Sequence, residues 1–267
     1  MEMGDFMLTL SEKHDLTGQL AIITGAARGI GSSCAYALAR NGANVVIVDL
    51  LTADEIINKI QTDFPYCEAT SYRIDIRNRE EVQKVINESV NKFGGIDILV
   101  NNAGTCGRKG LENITDDDWS RDLDTNLGGT FLFTQLAIYP HMINQGYGKV
   151  VNVSSISGIM GGPTSSYEGT DSGRSGPAYA ASKGAVIAFT KWVAKEVGKY
   201  GITCNSVAPG AVSTEMTQNL TYALDNQPIK RFGKPEDIAE AVVYLASPAS
   251  NYTTGQVVKV CGGLAIG

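Results

Sequence analysis

The fold is decided by the stretch LAIITGAARGIG, residues 20–31. Its apolar first half, Leu20–Thr24, predicts a buried β-strand, and the glycines that follow predict a tight turn into a helix. Gly25 permits the turn, whereas Gly29 and Gly31 let backbone N–H groups and the helix N-terminus approach a pyrophosphate closely. A strand, a glycine-rich turn and a helix in this order indicate a dinucleotide-binding unit.

An acidic residue ends the next predicted strand. Asp49 closes the apolar run Asn44–Asp49, where a carboxylate accepts hydrogen bonds from the adenosine ribose hydroxyls. It also repels a 2′-phosphate, and like charges that face each other cost several kcal/mol. Arg28 argues the other way, because a guanidinium in the turn pairs well with a 2′-phosphate. We take Asp49 as the stronger effect, so the predicted cofactor is NAD rather than NADP.

Apolar, β-branched runs alternate with helical segments along the 267 residues of the chain. Nearly continuous apolar runs, such as 45–48 and 96–100, are typical of strands covered on both faces of a parallel sheet. We predict an α/β fold with a doubly wound, parallel, seven-stranded sheet of Rossmann type. It forms a single domain over residues 16–267, after an N-terminal extension at 1–15. The predicted strands are Leu20–Thr24, Asn44–Asp49, Thr70–Asp75, Ile96–Asn101, Lys149–Ser154, Thr203–Ala208 and Gln256–Val260, and the predicted helices include Gly31–Asn41, Arg79–Phe93, Asp116–Ala137 and Pro177–Tyr200.

Charge and composition exclude several classes of partner. The formal net charge is −6, and no basic cluster is present, which argues against a nucleic-acid partner. No stretch is apolar enough for a membrane span. The segment 1–16 lacks a positive start and an apolar run, so neither a signal nor a transit peptide is expected. Five cysteines without a Cys-x-x-Cys pair favour free thiols in the cytoplasm, and two histidines make a metal site improbable, so none is predicted.

Tyr179 and Lys183 lie four residues apart, on one face of a predicted helix. Such a pair alone is weak evidence, because many helices carry it towards solvent. Here it follows a dinucleotide-binding turn, so that a phenol and an ammonium group are placed in a protein suited to hold a nicotinamide cofactor. The combination indicates hydride transfer.

Together, these residues resemble the short-chain dehydrogenase/reductase family, from about Leu16 to Gly263. The resemblance rests on seven motifs that occur in the family's order. They are Thr24–Gly31, Asp75-Ile76, Asn101–Gly104, Asn126, Val151–Ser155, Tyr179–Lys183, and Pro209-Gly210 with Val212 and Thr214.

The resemblance implies a catalytic set. Tyr179 is expected to be the general acid/base, with the Lys183 ammonium favouring its phenolate and holding the nicotinamide ribose. Ser155 is expected to hydrogen-bond the reacting oxygen, although Ser154 is an alternative. Asn126 is expected to support a water that connects Lys183 to solvent, or else to be a buried amide that braces its helix. The residues expected to bind the cofactor, including the glycine-rich turn, are Gly25, Arg28, Gly29, Ile30, Gly31, Asp49, Asp75, Ile76, Asn102, Ala103, Gly104, Tyr179, Lys183, Pro209, Gly210, Val212 and Thr214.

One segment departs from the family pattern. Ser155 and Tyr179 lie 24 residues apart, about twice the usual separation, so the glycine- and serine-rich loop at about 158–176 carries an insertion. Tyr167 stands near the usual distance, but Asp171 occupies the position where a lysine is needed, so Tyr179 keeps the role. We expect this loop to form one wall of the substrate pocket.

The predicted function is NAD-dependent interconversion of a secondary alcohol and a ketone. Polar residues in the inserted loop favour a polyol, a sugar or another hydroxylated small molecule as substrate. A 3-oxoacyl thioester or a hydroxysteroid is an alternative within the same family. An epimerase or dehydratase and a non-catalytic dinucleotide sensor are the other classes considered. The family resemblance also implies a homo-oligomer, a tetramer or a dimer.

Overall fold

The computed structural model describes residues 12–162, 174–218, 220, 222 and 224–267. One parallel sheet has the strand order β3-β2-β1-β4-β5-β6-β7, so the order reverses between β1 and β4. The predicted seven-stranded, doubly wound sheet is therefore confirmed. The strands are β1 Leu20–Thr24, β2 Asn44–Asp49, β3 Ala69–Arg73, β4 Ile98–Asn101, β5 Gly148–Val153, β6 Ile202–Pro209 and β7 Val257–Val260.

Helices cover both faces of the sheet. Within the described ranges, none is long and apolar enough to cross a membrane. The α-helices are α1 Gly29–Arg40, α2 Asp54–Asp63, α3 Arg79–Phe93, α4 Asp116–Leu123, α5 Thr130–Ala137, α6 Ile143–Gln145, α7 Ser157–Met160, α8 Pro177–Val197 and α9 Pro235–Ala246. π-Helical segments span Asp124–Gly129 and Ile138–Met142, and short 3₁₀ turns span Glu12–His14, Gly198–Tyr200, Leu224–Asn226 and Pro248–Ser250.

The hydrophobic core forms two layers because successive strand residues point to opposite faces. Ala21 and Ile23 of β1 pack in the layer beneath α1, α2 and α9. Leu20 and Ile22 of the same strand pack in the layer beneath α3, α5 and α8. All five residues of β1 are buried, which explains why its sequence is apolar without alternation.

Several predicted boundaries shift. The third strand ends at Arg73 rather than Asp75, and Asp75 lies in the turn that follows. The long helix predicted over Asp116–Ala137 is interrupted by the π-helical segment Asp124–Gly129. The inserted loop starts as part of helix α7, and its residues 163–173, with Tyr167 and Asp171, lie outside the described ranges.

Candidate active site

A cavity of about 760 Å³ opens at the carboxyl ends of the strands, on both sides of the point where the strand order reverses. Every residue predicted for catalysis or cofactor binding lines it, except Gly31 and Asn126. Both exceptions are buried beside the wall, where they shape the backbone that lines the cavity. The motifs spread along the sequence thus meet in one place.

The glycine-rich turn packs tightly on the loop after β4. Gly25 has a φ of 64°, and a Cβ built on it lies only 2.5 Å from the Cα of Ala103. The side-chain amide of Asn102 donates to the carbonyl of Gly25 at 2.7 Å and to that of Thr24 at 3.1 Å. A Cβ on Gly31 meets the Gly25 carbonyl oxygen, so Gly31 allows α1 to start directly behind the turn.

The adenosine end of the cavity contains two carboxylates with different partners. Asp49 accepts hydrogen bonds from the backbone N–H groups of Ala27 at 2.9 Å and Leu51 at 3.0 Å. Asp75 pairs with Arg77 at 2.6 Å, and this hydrogen-bonded guanidinium lowers the pKa of the Asp75 carboxyl. Asp49 therefore fixes the end of β2 against the glycine-rich turn while lining the cavity.

The deep end of the cavity brings together Tyr179, Ser155 and Lys183. The Ser155 hydroxyl lies beside the phenol of Tyr179 and favours its phenolate. The ammonium nitrogen of Lys183 donates to the Val153 carbonyl at 2.8 Å and lies 5.8 Å from the centroid of the Tyr179 ring. Because Val153 ends β5 and Ser155 follows it, one strand end holds both partners of the phenol.

Burial shifts the pKa of both ionisable groups towards their neutral forms. It raises the pKa of the Tyr179 phenol, whereas the nearby Ser155 hydroxyl and the charge of Arg108 lower it. It lowers the pKa of Lys183 to about 8. Ser155 and Arg108 thus oppose the effect of burial on the Tyr179 pKa, and the expected effect of the Lys183 ammonium stays a prediction.

The two neighbouring serines have different surroundings. The Ser154 hydroxyl donates to the Val207 carbonyl at 3.1 Å and accepts from the Ser206 hydroxyl at 2.6 Å, so both its bonds go to β6. Ser155 instead interacts with Tyr179 and accepts a hydrogen bond from the N–H group of Ser157. The geometry favours Ser155 as the serine that faces a substrate.

Asn126 is fully buried in the π-helical segment, a type of irregularity that is frequent at functional sites. Its amide donates to the Thr105 carbonyl and to the Ser182 hydroxyl, both at 2.9 Å. Its oxygen accepts from the Thr105 N–H group at 2.8 Å. These bonds show a bracing amide, one of the two alternatives raised by the sequence, and the water-supporting role stays a prediction.

Residues that the sequence reasoning missed also line the substrate end. Cys106 and Arg108 follow the Asn101–Gly104 motif, and their closeness to that motif was the available signal. Met216 and Tyr222 come from the segment that follows Thr214. From the inserted loop, Ser175 lines the cavity and donates to the Ser157 hydroxyl at 3.0 Å.

The cavity fits a dinucleotide along its length. The glycine-rich turn and the N-terminus of α1 suit a pyrophosphate. Gly104 lets the loop after β4 pack close to α8, because a Cβ there lies 2.9 Å from the Asn126 amide oxygen and 3.4 Å from the Lys183 nitrogen. Asp49 and Lys183, which the family resemblance assigns to the adenosine and nicotinamide ends of the cofactor, line the same cavity.

Comparisons with known proteins identify the family. A sequence profile described as enoyl-(acyl carrier protein) reductase matches residues 25–265. The chain is 39% identical to a 3-oxoacyl-(acyl-carrier-protein) reductase FabG of Thermotoga maritima, over 94% of this chain and 99% of that protein.

Solved structures show the same fold. A short-chain type dehydrogenase/reductase from Mycobacterium marinum is 30% identical, with a TM-score of 0.86 over 97% of this chain and 100% of the other. A putative 2-deoxy-D-gluconate 3-dehydrogenase from Agrobacterium tumefaciens, solved with bound NADP, is 33% identical, with a TM-score of 0.83 over 94% and 98%. The chain belongs to the short-chain dehydrogenase/reductase family and is an oxidoreductase that uses a nicotinamide dinucleotide.

Proposed function

We propose that the protein is an NAD-dependent oxidoreductase that interconverts a 3-oxoacyl thioester and the corresponding 3-hydroxyacyl thioester. The observation that carries the chemistry is the meeting of Tyr179, Ser155 and Lys183 at the end of a dinucleotide-shaped cavity. A phenol, a hydroxyl and an ammonium group there suit transfer of a proton to a carbonyl oxygen.

Side chains of the protein carry out and support the proton transfer. The nicotinamide cofactor, when bound, supplies or accepts the hydride. In reduction, Tyr179 donates its phenolic proton to the substrate oxygen, and its raised pKa keeps that proton in place near neutral pH. Ser155 orients the same oxygen through its hydroxyl. Lys183 holds the ribose hydroxyls, and its positive charge favours the phenolate that remains.

The substrate class rests on similarity and on the lining of the cavity. The chain resembles a 3-oxoacyl-(acyl-carrier-protein) reductase over almost its whole length. Ile156, Met216 and Leu264 line the cavity at its substrate end and offer apolar surface to an acyl chain. These features support a thioester above the polyol or sugar that the sequence favoured.

A hydroxylated substrate is the second candidate. The hydroxyl groups of Ser157 and Ser175 stand 3.0 Å apart at the cavity wall and can bind substrate hydroxyls. A solved structure with 33% identity is described as a putative 2-deoxy-D-gluconate 3-dehydrogenase. A sugar acid therefore belongs in the same assay.

The preference for NAD rests on Asp49. Its carboxylate lines the adenosine end and is fixed by two backbone N–H groups, so it cannot easily move away from a 2′-phosphate. Arg28 also lines the cavity, but its side chain is exposed to solvent, which weakens its attraction for a 2′-phosphate. Charge repulsion at Asp49 thus favours NAD.

The test follows nicotinamide absorbance with acetoacetyl-CoA and NADH, beside NADPH, and with 2-deoxy-D-gluconate and a set of polyols in the oxidative direction. We expect the highest kcat/KM with acetoacetyl-CoA and NADH. A higher kcat/KM for the sugar acid selects the second candidate, and a preference for NADPH contradicts the role of Asp49.

We also propose that the chain forms a homo-oligomer through its long helices. Phe131 on α5 and Trp192 on α8 are 39% and 64% exposed and offer apolar surface to a second copy of the chain. A Trp192→Arg variant should have a lower mass by light scattering than the unmodified protein, and an unchanged mass rules out this surface.

All five cysteines are free thiols, which supports the proposed cytoplasmic location.

A further inference from the structure

A buried carboxylate, that of Asp122, lies behind the wall of the active site. Asp122 on α4 is fully buried, and its side chain accepts hydrogen bonds from two groups of the loop after β4. The Thr105 hydroxyl donates to one oxygen and the Gly107 N–H group to the other, both at 2.8 Å. Arg121 contacts the first oxygen at 3.2 Å, so the buried charge is compensated.

The loop that Asp122 holds is packed against the start of the catalytic helix. The Gly107 carbonyl accepts a hydrogen bond of 2.7 Å from the Gly176 N–H group, at the position that precedes α8. A Cβ on Gly107 lies 2.9 Å from the Asp122 carboxylate, and one on Gly176 lies 2.8 Å from the Gly107 oxygen. Only glycines allow α4, the loop and α8 to approach this closely.

The same loop reaches the catalytic side chains from the other direction. Thr105 exchanges backbone hydrogen bonds with the Asn126 amide, and Asn126 donates to the Ser182 hydroxyl. That hydroxyl donates to the carbonyl of Tyr179 at 2.8 Å. A displacement of the loop therefore moves both the start of α8 and the turn that bears Tyr179.

We infer that Asp122 is a positioning residue, which clamps the 105–107 loop onto α8 and places a buried negative charge near Lys183. The inference rests on the proposed roles of Tyr179 and Lys183. It concerns a residue that touches neither the cavity nor, on this geometry, the substrate.

The charged and ionisable groups around Lys183 determine the electrostatic effect of Asp122. Lys183 is faced by Cys106 from the loop, by Asp122 from α4 and by Tyr179 from its own helix, while Arg108 and Arg121 act on Cys106. Burial lowers the pKa of Lys183 to about 8, and negative charge at Cys106 and Asp122 opposes this. Burial also raises the pKa of the Cys106 thiol, so Cys106 is uncharged near neutral pH and the opposition comes from Asp122.

Three variants separate the clamp from the charge. Asp122→Leu removes both, and Asp122→Asn keeps the size and an acceptor oxygen but removes the charge. Thr105→Val removes a single hydroxyl from the clamp, and it replaces Asp122→Leu as the test if that variant does not fold. Asp117→Asn is the matched control, because it removes one charge from an exposed position of the same helix.

In Asp122→Leu we expect kcat for acetoacetyl-CoA reduction to fall about 10²-fold, the effect of a roughly 1 Å misplacement. The Kd for NADH, read by fluorescence, stays unchanged. Reduction needs protonated Lys183, so the rate falls as pH rises through its pKa. Removing the Asp122 charge lowers that pKa, and in Asp122→Asn the decline therefore starts at lower pH, while Asp117→Asn follows the unmodified protein.

Hydrogen exchange gives a readout that needs no substrate. The Gly107 amide should exchange faster in both Asp122 variants than in Asp117→Asn. Unchanged exchange, or an unchanged kcat and pH profile, overturns the inference. If Tyr179→Phe abolishes turnover while the Asp122 variants match the control, the inference fails and the proposed function stands. If the unmodified protein reduces no thioester, the proposed substrate is wrong. Hydrogen exchange at the Gly107 amide then still tests whether Asp122 holds the loop.

Discussion

The side-chain amide of Asn102 donates a hydrogen bond of 2.7 Å to the carbonyl oxygen of Gly25. This bond joins the loop after β4 to the turn after β1, two segments 77 residues apart in sequence. The strands that carry them are neighbours at the reversal of strand order. The glycine-rich turn is therefore held by the same loop that continues towards Asp122 and the start of α8.

Substitution of Gly25 should weaken cofactor binding. Gly25→Ala places a Cβ 2.5 Å from the Ala103 Cα, at a φ of 64° that an L-residue rarely adopts. We expect the free energy of unfolding to fall by about 1–3 kcal/mol from the backbone strain alone, and NADH affinity to fall at least about 10-fold. Thermal unfolding and fluorescence titration measure the two effects.

Gly94→Ala is the control for strain without the clash. Gly94 also has a positive φ, of 86°, but no atom lies within 4 Å of its built Cβ. It is the C-cap of α3 and precedes β4, so it lies at the edge of the sheet opposite the glycine-rich turn. We expect this variant to lose stability but to keep its NADH affinity, and equal affinity loss in both variants contradicts the role assigned to Gly25.

Asp49 and Arg28 should shift the cofactor preference in opposite directions. Asp49→Asn removes the charge that faces a 2′-phosphate while keeping an acceptor for a backbone N–H group. We expect the ratio of kcat/KM for NADH over NADPH to fall at least about 10-fold, equivalent to about 1.4 kcal/mol. Arg28→Ala should raise the same ratio. A preference that neither variant moves shows that other residues set it.

Lys149 should make stability depend on pH. This lysine of β5 is 1% exposed, its nitrogen donates to Asn251 at 2.8 Å, and burial lowers its pKa from 10.5 to about 8. Between these values the unfolded chain binds a proton that the folded chain does not, so stability rises with pH in that interval. Below pH 8 the buried charge destabilises the fold by at most about 3 kcal/mol.

Lys149→Met removes that buried charge. We expect a higher Tm than in the unmodified protein at pH 7, and a difference that shrinks as the pH is raised from 8 to 10.5. Asn251 is exposed, so water replaces the lost donor. A Tm difference that is independent of pH would mean that Lys149 is neutral, or well solvated, throughout.

The fold was largely predictable because each signal was local. The glycine-rich turn, the apolar strands and the helix stop at Gly94 depend on neighbouring residues, and α3 was predicted at its observed bounds. Boundaries moved where tertiary contacts decided them. β3 ends at Arg73 because its pairing with β2 ends there, and β6 extends to Pro209 because β7 pairs with it to its end.

The site was predictable for the motif residues and less so for the rest. Lining residues such as Cys106, Arg108 and Tyr222 have no spacing that singles them out, because their positions depend on long-range packing. Asp122 could be read only as one of several acidic residues in its helix. Its burial depends on the approach of the loop through Gly107, a contact that sequence spacing does not contain.

The rate of the Tyr179→Phe variant tests the central claim most directly. The substitution removes only the phenolic hydroxyl, and Tyr66→Phe is the control because Tyr66 is 66% exposed on the surface. With acetoacetyl-CoA and NADH, we expect kcat to fall at least about 10²-fold in Tyr179→Phe, with NADH affinity retained, and Tyr66→Phe to match the unmodified protein. A near-normal kcat in Tyr179→Phe would contradict the assignment of Tyr179 as the acid/base and the function proposed from it.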